Sequence, residues 1–146
     1  NKESYALNHP AGAIGRALVM KATDIMRSGP RLAKVLSSST VLETLMSMTA
    51  AKSGSAVIVD EEDKLLGIFT DGDFRRLVSG GVEAPLNGPI TSYMTKNPLF
   101  VNSSQYASEL LRVFEKRQID DLPVCDGNGK VIGMIDIQDL PKMKVL

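Results

Sequence analysis

The chain repeats itself. The stretch VIVDEEDKLLGIFTDGDF (57–74) lies without gaps over PVCDGNGKVIGMIDIQDL (123–140), so that Asp60 falls on Asp126, Lys64 on Lys130, Gly67 on Gly133 and Asp73 on Asp139. Apolar positions correspond almost throughout. Upstream, VLETLMSM (41–48) meets ASELLRVF (107–114), and after a two-residue slip DIM (24–26) meets SYM (92–94). A chain of this kind folds as two like units. A unit of about 55 residues with one apolar sheet face is too small to stand alone. Two of them facing each other bury that face.

Each copy reads the same way. Val41, Leu42, Leu45, Met46 and Met48 form a stripe at helical spacing, and Ala107, Leu110, Leu111 and Phe114 draw it again. SAVIV and LPVC are short apolar strands. EED and DGNG are turns, the second with the Asp-Gly and Asn-Gly pairs that favour tight hairpins. KLLGIF and KVIGMI return as second strands, and short helices follow from Asp73 and Asp139. The expected order per copy is a lead strand, a helix, a strand hairpin and a closing helix. The expected fold class is α/β (α+β), two β-α-β-β-α repeats with small sheets packed face to face about a pseudo-two-fold axis. The Gly- and Pro-rich GGVEAPLNGP (80–89) reads as the link, between repeats at 20–79 and 90–146, with a preceding segment at 1–19.

Composition narrows the function classes. Lys plus Arg equals Asp plus Glu at 17 each, which leaves no basic field for a nucleic-acid backbone and no polybasic membrane anchor. Aromatic residues make up 5% and tryptophan is absent, which argues against a platform for stacking bases. Cys125 is alone, so no disulfide is expected, and a reducing cytoplasm fits. No apolar run reaches membrane-spanning length. The chain opens without Met and already in helical rhythm, as a piece of a longer protein would.

The chemistry concentrates in GIFTDGDFRR (67–76). Thr70 followed by Asp73 is a capping box, whose side chains satisfy the orphan amides of a helix start. The same atoms also suit a phosphorylated ligand. A helix start offers N–H groups and positive dipole to a phosphate. A Thr hydroxyl donates to a phosphate oxygen, and a carboxylate one turn in accepts from ribose hydroxyls. Arg75 and Arg76 are near enough to add charge. The second copy has Asp136 where the first has Thr70, and a carboxylate there repels phosphate. Two unequal clefts are therefore expected, with an anionic nucleotide preferring that of Thr70. Ser38, Ser39 and Thr40, ahead of the first helix, are weaker candidates and read equally well as an N-cap region. No nucleophile–base pair, metal cluster or paired acids emerge, so an independent enzyme is not expected.

The recurring Met-ended lead segments, the apolar helix, the Val-Asp and Cys-Asp strand ends and GIFTDGDFRR together resemble the tandem cystathionine-β-synthase (CBS) pair, or Bateman module, over residues 20–146. In such pairs the Thr and Asp of the Gly-x-x-Thr-x-x-Asp motif hold phosphate and ribose in a cleft between repeats, which implies those roles for Thr70 and Asp73, with Asp139 in the second copy. NHPAGAIGR (8–16) resembles the end of the sugar isomerase (SIS) domain in bacterial arabinose 5-phosphate isomerases of the KpsF/GutQ type, with Asn8 and Ala11 as mild departures. These enzymes interconvert ribulose 5-phosphate and arabinose 5-phosphate in lipopolysaccharide (Kdo) biosynthesis. The resemblance implies that His9 is catalytic in the intact parent enzyme, where the partners it needs lie upstream of Asn1. It also implies a regulatory module that requires no cofactor and binds an AMP/ATP-type nucleotide or CMP-Kdo. Its partners would be its own SIS domain and further copies in a homo-oligomer, with no nucleic acid or membrane. The rival expectation is a non-binding oligomerisation module, with Thr70 and Asp73 serving only as caps.

Overall fold

Both copies build the same elements from corresponding residues. The computed structural model describes residues 19–80, 83 and 86–140. After a short helix α1 (Ala22–Ile25), the first copy runs β1 (Lys34–Leu36), α2 (Val41–Ala51), β2 (Ser55–Val59), β3 (Leu65–Thr70) and α3 (Asp71–Ser79). The second runs β4 (Thr95–Lys96), β5 (Val101–Asn102), α4 (Ala107–Arg117), β6 (Asp121–Cys125), β7 (Val131–Asp136) and a 3-10 turn at Ile137–Asp139. One sheet has the order β1-β2-β3-β4 and the other β5-β6-β7. In each, the first pair is parallel and the hairpin antiparallel. Even the irregularities repeat. The hairpins carry register shifts at Ile58/Val59 and at Val124/Cys125, and the left-handed turn residue is Asp63 in one and Gly129 in the other.

The helix caps follow from local sequence. Thr40 opens α2 by accepting from the Glu43 N–H at 3.1 Å, while the Glu43 carboxylate accepts from the Thr40 N–H at 2.9 Å. Thr70 and Asp73 do the same for α3, which therefore starts at Asp71 rather than Asp73. After Asp139 the described chain shows only the 3-10 turn, and residues beyond 140 lie outside the described residues.

One helix face differs from the sequence expectation. Val41, Thr44, Met48 and Ala51 are the buried residues of α2, whereas Leu42 and Met46 are 40% and 62% exposed. Thr44 can turn inward because its hydroxyl donates back to the Thr40 carbonyl at 2.9 Å, leaving no buried polar group unpaired. In α4 the expected face is buried, through Ala107, Leu110 and Phe114.

Sheet-to-sheet packing forms the shared core. Val57, Val59 and Ile68 meet Cys125, Val131 and Met134. Each such buried aliphatic side chain contributes roughly 1.5–3 kcal/mol, well above the exposed Lys34–Asp63 pair at about 1 kcal/mol or less. Apolar burial therefore holds the halves together.

The lead segments are exchanged, which the repeat did not reveal. Ala22, Ile25 and Met26 of the first lead pack into the core of the second copy, with Leu110 and Phe114. Ile90, Tyr93 and Met94 of the second lead pack into the core of the first, with Val41 and Phe69. Backbone pairing agrees: β4 lies antiparallel to β3, and Arg27 bridges Met134 on β7 in the same sense. Two glycines make room. A Cβ on Gly67 would lie 2.8 Å from Met94 Cγ and 2.9 Å from the Thr95 carbonyl, and one on Gly133 would lie 2.8 Å from Met26 Cγ and 3.0 Å from the Arg27 carbonyl. Gly67→Ala or Gly133→Ala should therefore destabilise the protein by about 1–3 kcal/mol, read as a lower midpoint in chemical denaturation. An unchanged midpoint would mean that the lead segments are not seated as described.

Candidate functional site

Where β2 and β3 of the first copy meet β6 and β7 of the second, the two strand-to-helix corners open into a crevice of about 650 Å³. From the first copy come Gly54, Ile68 and the turn Thr70–Asp73, with Arg76. The second contributes Thr95, Pro98 and Leu99 from its lead, Gln118–Asp121 after α4, and Asp136–Gln138.

The Thr70 corner is preorganised. Its hydroxyl accepts from the Asp73 N–H at 3.1 Å, and Asp73 Oδ2 accepts from the Thr70 N–H at 3.0 Å. Asp73 Oδ1 accepts from Arg76 Nη2 at 2.6 Å. Gly72 lies between the Thr70 hydroxyl and the Arg76 guanidinium: a Cβ there would sit 3.6 Å from one and 3.5 Å from the other. The hydroxyl, the guanidinium and the positive end of the nine-residue α3 thus border one spot. Capping does not exhaust these groups, because a carboxylate has about four acceptor positions and a hydroxyl remains free to donate. The atoms that cap α3 also line the crevice.

The opposite wall is acidic. Ser55 pairs with Thr70 in the first hairpin, and at the same place in the second hairpin Asp121 pairs with Asp136. Two hydroxyls in one copy thus correspond to two carboxylates in the other. The buried Ser55 hydroxyl donates to Asp121 Oδ1 at 3.1 Å, joining the copies. Burial, and next the neighbouring Asp136 carboxylate, push the Asp121 carboxyl up to about 6, while the Ser55 hydrogen bond acts in the other direction.

The sequence-nominated residues are placed as follows. Thr70, Asp73 and Arg76 line the crevice, whereas Arg75 is exposed outside it. Thr40 is the α2 cap and lies away from the crevice. Asp139 is also absent from the lining, since its carboxylate is held by Arg27 at 2.8 and 3.0 Å. His9 lies outside the described residues. The expected pair of separate clefts is also revised. Thr70 and Asp136 border the same crevice. Sequence reasoning passed over Asp121, although the alignment that sets Thr70 on Asp136 also sets Ser55 on Asp121. Among the described residues no group of three or more His, Cys, Asp or Glu side chains is arranged to hold a metal ion. None of the described helices is long and apolar enough to cross a membrane.

Comparison with known proteins agrees with this architecture. The CBS domain family profile matches residues 22–80 and 90–142. The chain belongs to the CBS domain family. It is 36% identical over 144 residues to arabinose 5-phosphate isomerase KdsD of Pseudomonas aeruginosa, covering 99% of this chain and 44% of that protein. With arabinose 5-phosphate isomerase GutQ of Escherichia coli K12 it shares 33% identity over 139 residues, 95% of this chain and 43% of the relative. The chain thus spans less than half the length of these curated relatives. Among solved structures, protein MJ1004 of Mathanocaldococcus jannaschii matches with a TM-score of 0.71 and 30% identity, over 82% of this chain and 57% of that one. CBSX2, solved in complex with AMP, shares the fold at a TM-score of 0.73 and 22% identity, over 86% and 96% of the two chains.

The raised Asp121 carboxyl predicts a pH-dependent stability for this CBS pair. Its native value near 6 lies above the ordinary 3.8, so the folded protein holds this proton more tightly than the unfolded chain. The stabilising contribution is complete below about 4 and is lost as pH rises through 6. Asp121→Asn should accordingly raise stability by about 1–2 kcal/mol at pH 7.5, allowing for solvent screening, with the difference fading by about pH 4. Denaturation midpoints of both proteins across that range check it; a gain independent of pH would contradict the assignment.

Proposed function

We propose that this CBS pair is the regulatory portion of an arabinose 5-phosphate isomerase and that its crevice binds a nucleotide. The observation that carries the reading is the convergence of the Thr70 hydroxyl, the start of α3 and Arg76 on one spot at the mouth of a crevice shared by both repeats. The phosphate sits on that corner. The ribose hydroxyls donate to Asp73, whose pairing with the 74%-exposed Arg76 side chain opens without great cost. The base lies towards Leu99 and Ile119. An adenine nucleotide is the favoured ligand, since the same fold holds AMP in CBSX2. Nothing in the comparisons supports CMP-Kdo. The parent protein, in the bacterial cytoplasm, interconverts ribulose 5-phosphate and arabinose 5-phosphate through an SIS domain in which His9 takes part, and the CBS pair adjusts that activity.

A second reading has its own support. Leu42 and Met46, one turn apart on α2, leave an exposed apolar strip that suits association between subunits.

Titration calorimetry with AMP separates the two. The expected result is heat on mixing with the wild type and an affinity loss of roughly ten- to a hundredfold in Thr70→Val, as for one lost hydrogen bond to a charged group. The cap lost in the same variant lowers stability by about 1 kcal/mol. A Thr70→Val protein with that stability loss and unaltered AMP affinity, or a folded wild type that takes up no AMP, would leave the assembly role.

A further inference from the structure

The crevice is lopsided with respect to the repeat. The correspondence that sets Met94 on Met26 sets Thr95 on Arg27, and the pairing obeys it: Thr95 faces Ile68 on β3 as Arg27 faces Met134 on β7. Thr95 and Asp73 both line the crevice, yet neither of their counterparts, Arg27 and Asp139, does so. The reason is visible in the side chains. Arg27 Nε donates to Asp139 Oδ2 at 2.8 Å and Nη2 donates to Oδ1 at 3.0 Å, a two-bond fork whose partners are only 18% and 17% exposed. Asp139 Oδ2 also accepts from the Asp136 N–H at 3.2 Å.

The contrast with the first copy is chemical as well as steric. There, Asp73 is held by Arg76 from its own helix, through a single bond and with the arginine largely in solvent. Such a pair exchanges readily for a ligand. A sheltered bidentate pair anchored from another segment does not. Arg27 belongs to the lead segment, whose backbone is fixed to β7 by reciprocal bonds with Met134 at 2.8 and 3.0 Å. Its guanidinium covers the carboxylate face that hydroxyl donors would otherwise use.

We propose that Arg27 is an internal stopper: by holding the Asp139 carboxylate it closes that acceptor to ribose hydroxyls, beside an Asp136 that already repels phosphate, and so leaves the chain one nucleotide site even where position 136 would admit a second. The consequence rests on the reading that the crevice takes a nucleotide, whereas the stopper itself rests on geometry alone.

The test therefore has two arms on the 146-residue chain. In the first, exchange of the Arg27 Nε–H with solvent is followed by nuclear magnetic resonance without ligand. Protection of at least tenfold over the exposed Arg75 Nε–H, abolished in Asp139→Asn, is expected; equal exchange overturns the stopper. In the second, AMP is titrated calorimetrically. The wild type and Asp136→Thr should each take one AMP, and Arg27→Thr combined with Asp136→Thr, which removes the stopper and sets a Thr where the first corner has Thr70, should take two. Two AMP on the wild type or on Asp136→Thr alone, or one on a double variant that still melts cooperatively, overturns the proposal. No AMP on the wild type but one on the double variant would uphold the stopper and sink the reading of the Thr70 corner. Should the double variant fail to fold, or all three proteins be silent to AMP, the exchange arm decides alone.

Discussion

A methionine from each lead segment sits on a glycine of the opposite repeat, and the rest of the molecule depends on those two seats. Met94 against Gly67 and Met26 against Gly133 hold each copy's lead on the other copy's sheet, where no side chain could intervene. Because the leads cross over, neither repeat has a complete core of its own: Ile90 and Tyr93 complete the first, and Ala22 and Ile25 the second. The small apolar area of a half-sized unit thus never has to suffice by itself. The sheet-to-sheet core and the Ser55–Asp121 bond then set the two strand-to-helix corners on one crevice.

Duplication supplies symmetry, and a few side chains then break it. Where the first copy has Ser55 and Thr70, the second has Asp121 and Asp136, carboxylates in place of hydroxyls. Where one lead has Thr95 at the crevice, the other has Arg27, held in a closed ion pair with Asp139. The side chains that differ are not among the shared core of Val57, Val59, Ile68, Cys125, Val131 and Met134, although Thr95 and Arg27 pair through the backbone with its Ile68 and Met134. A scaffold held by apolar burial can vary its polar rim at modest cost, and in this chain the differences between the copies at the crevice lie in that rim.

Much of this was legible in the chain itself. Hairpins and helices stood out because the two copies vouch for each other, and the Thr70–Asp73 cap followed from its spacing. The burial of Thr44 in place of Leu42 was hidden, because it depends on a back-bond to the Thr40 carbonyl that composition cannot show. Lead-segment exchange was hidden for a different reason: a repeat states what each unit contains, not which unit its ends pack against. Asp139 was nominated on its match to Asp73. Its capture by Arg27, 112 positions away, is a long-range pairing that no local motif encodes. The acidic character of Asp121 was written in the alignment, but its raised pKa needed the burial and the facing carboxylate to be seen.

The central claim is that both repeats jointly form one nucleotide crevice at the Thr70 corner. Amide chemical-shift mapping during titration of the isotopically labelled chain with AMP tests it most directly. The account predicts that the amides of Thr70–Arg76 shift together with those of Thr95, Leu99 and Ile119 from the other repeat, along a single binding curve. Shifts confined to one repeat, centred on Arg27 and Asp139, or absent at saturating nucleotide would contradict it.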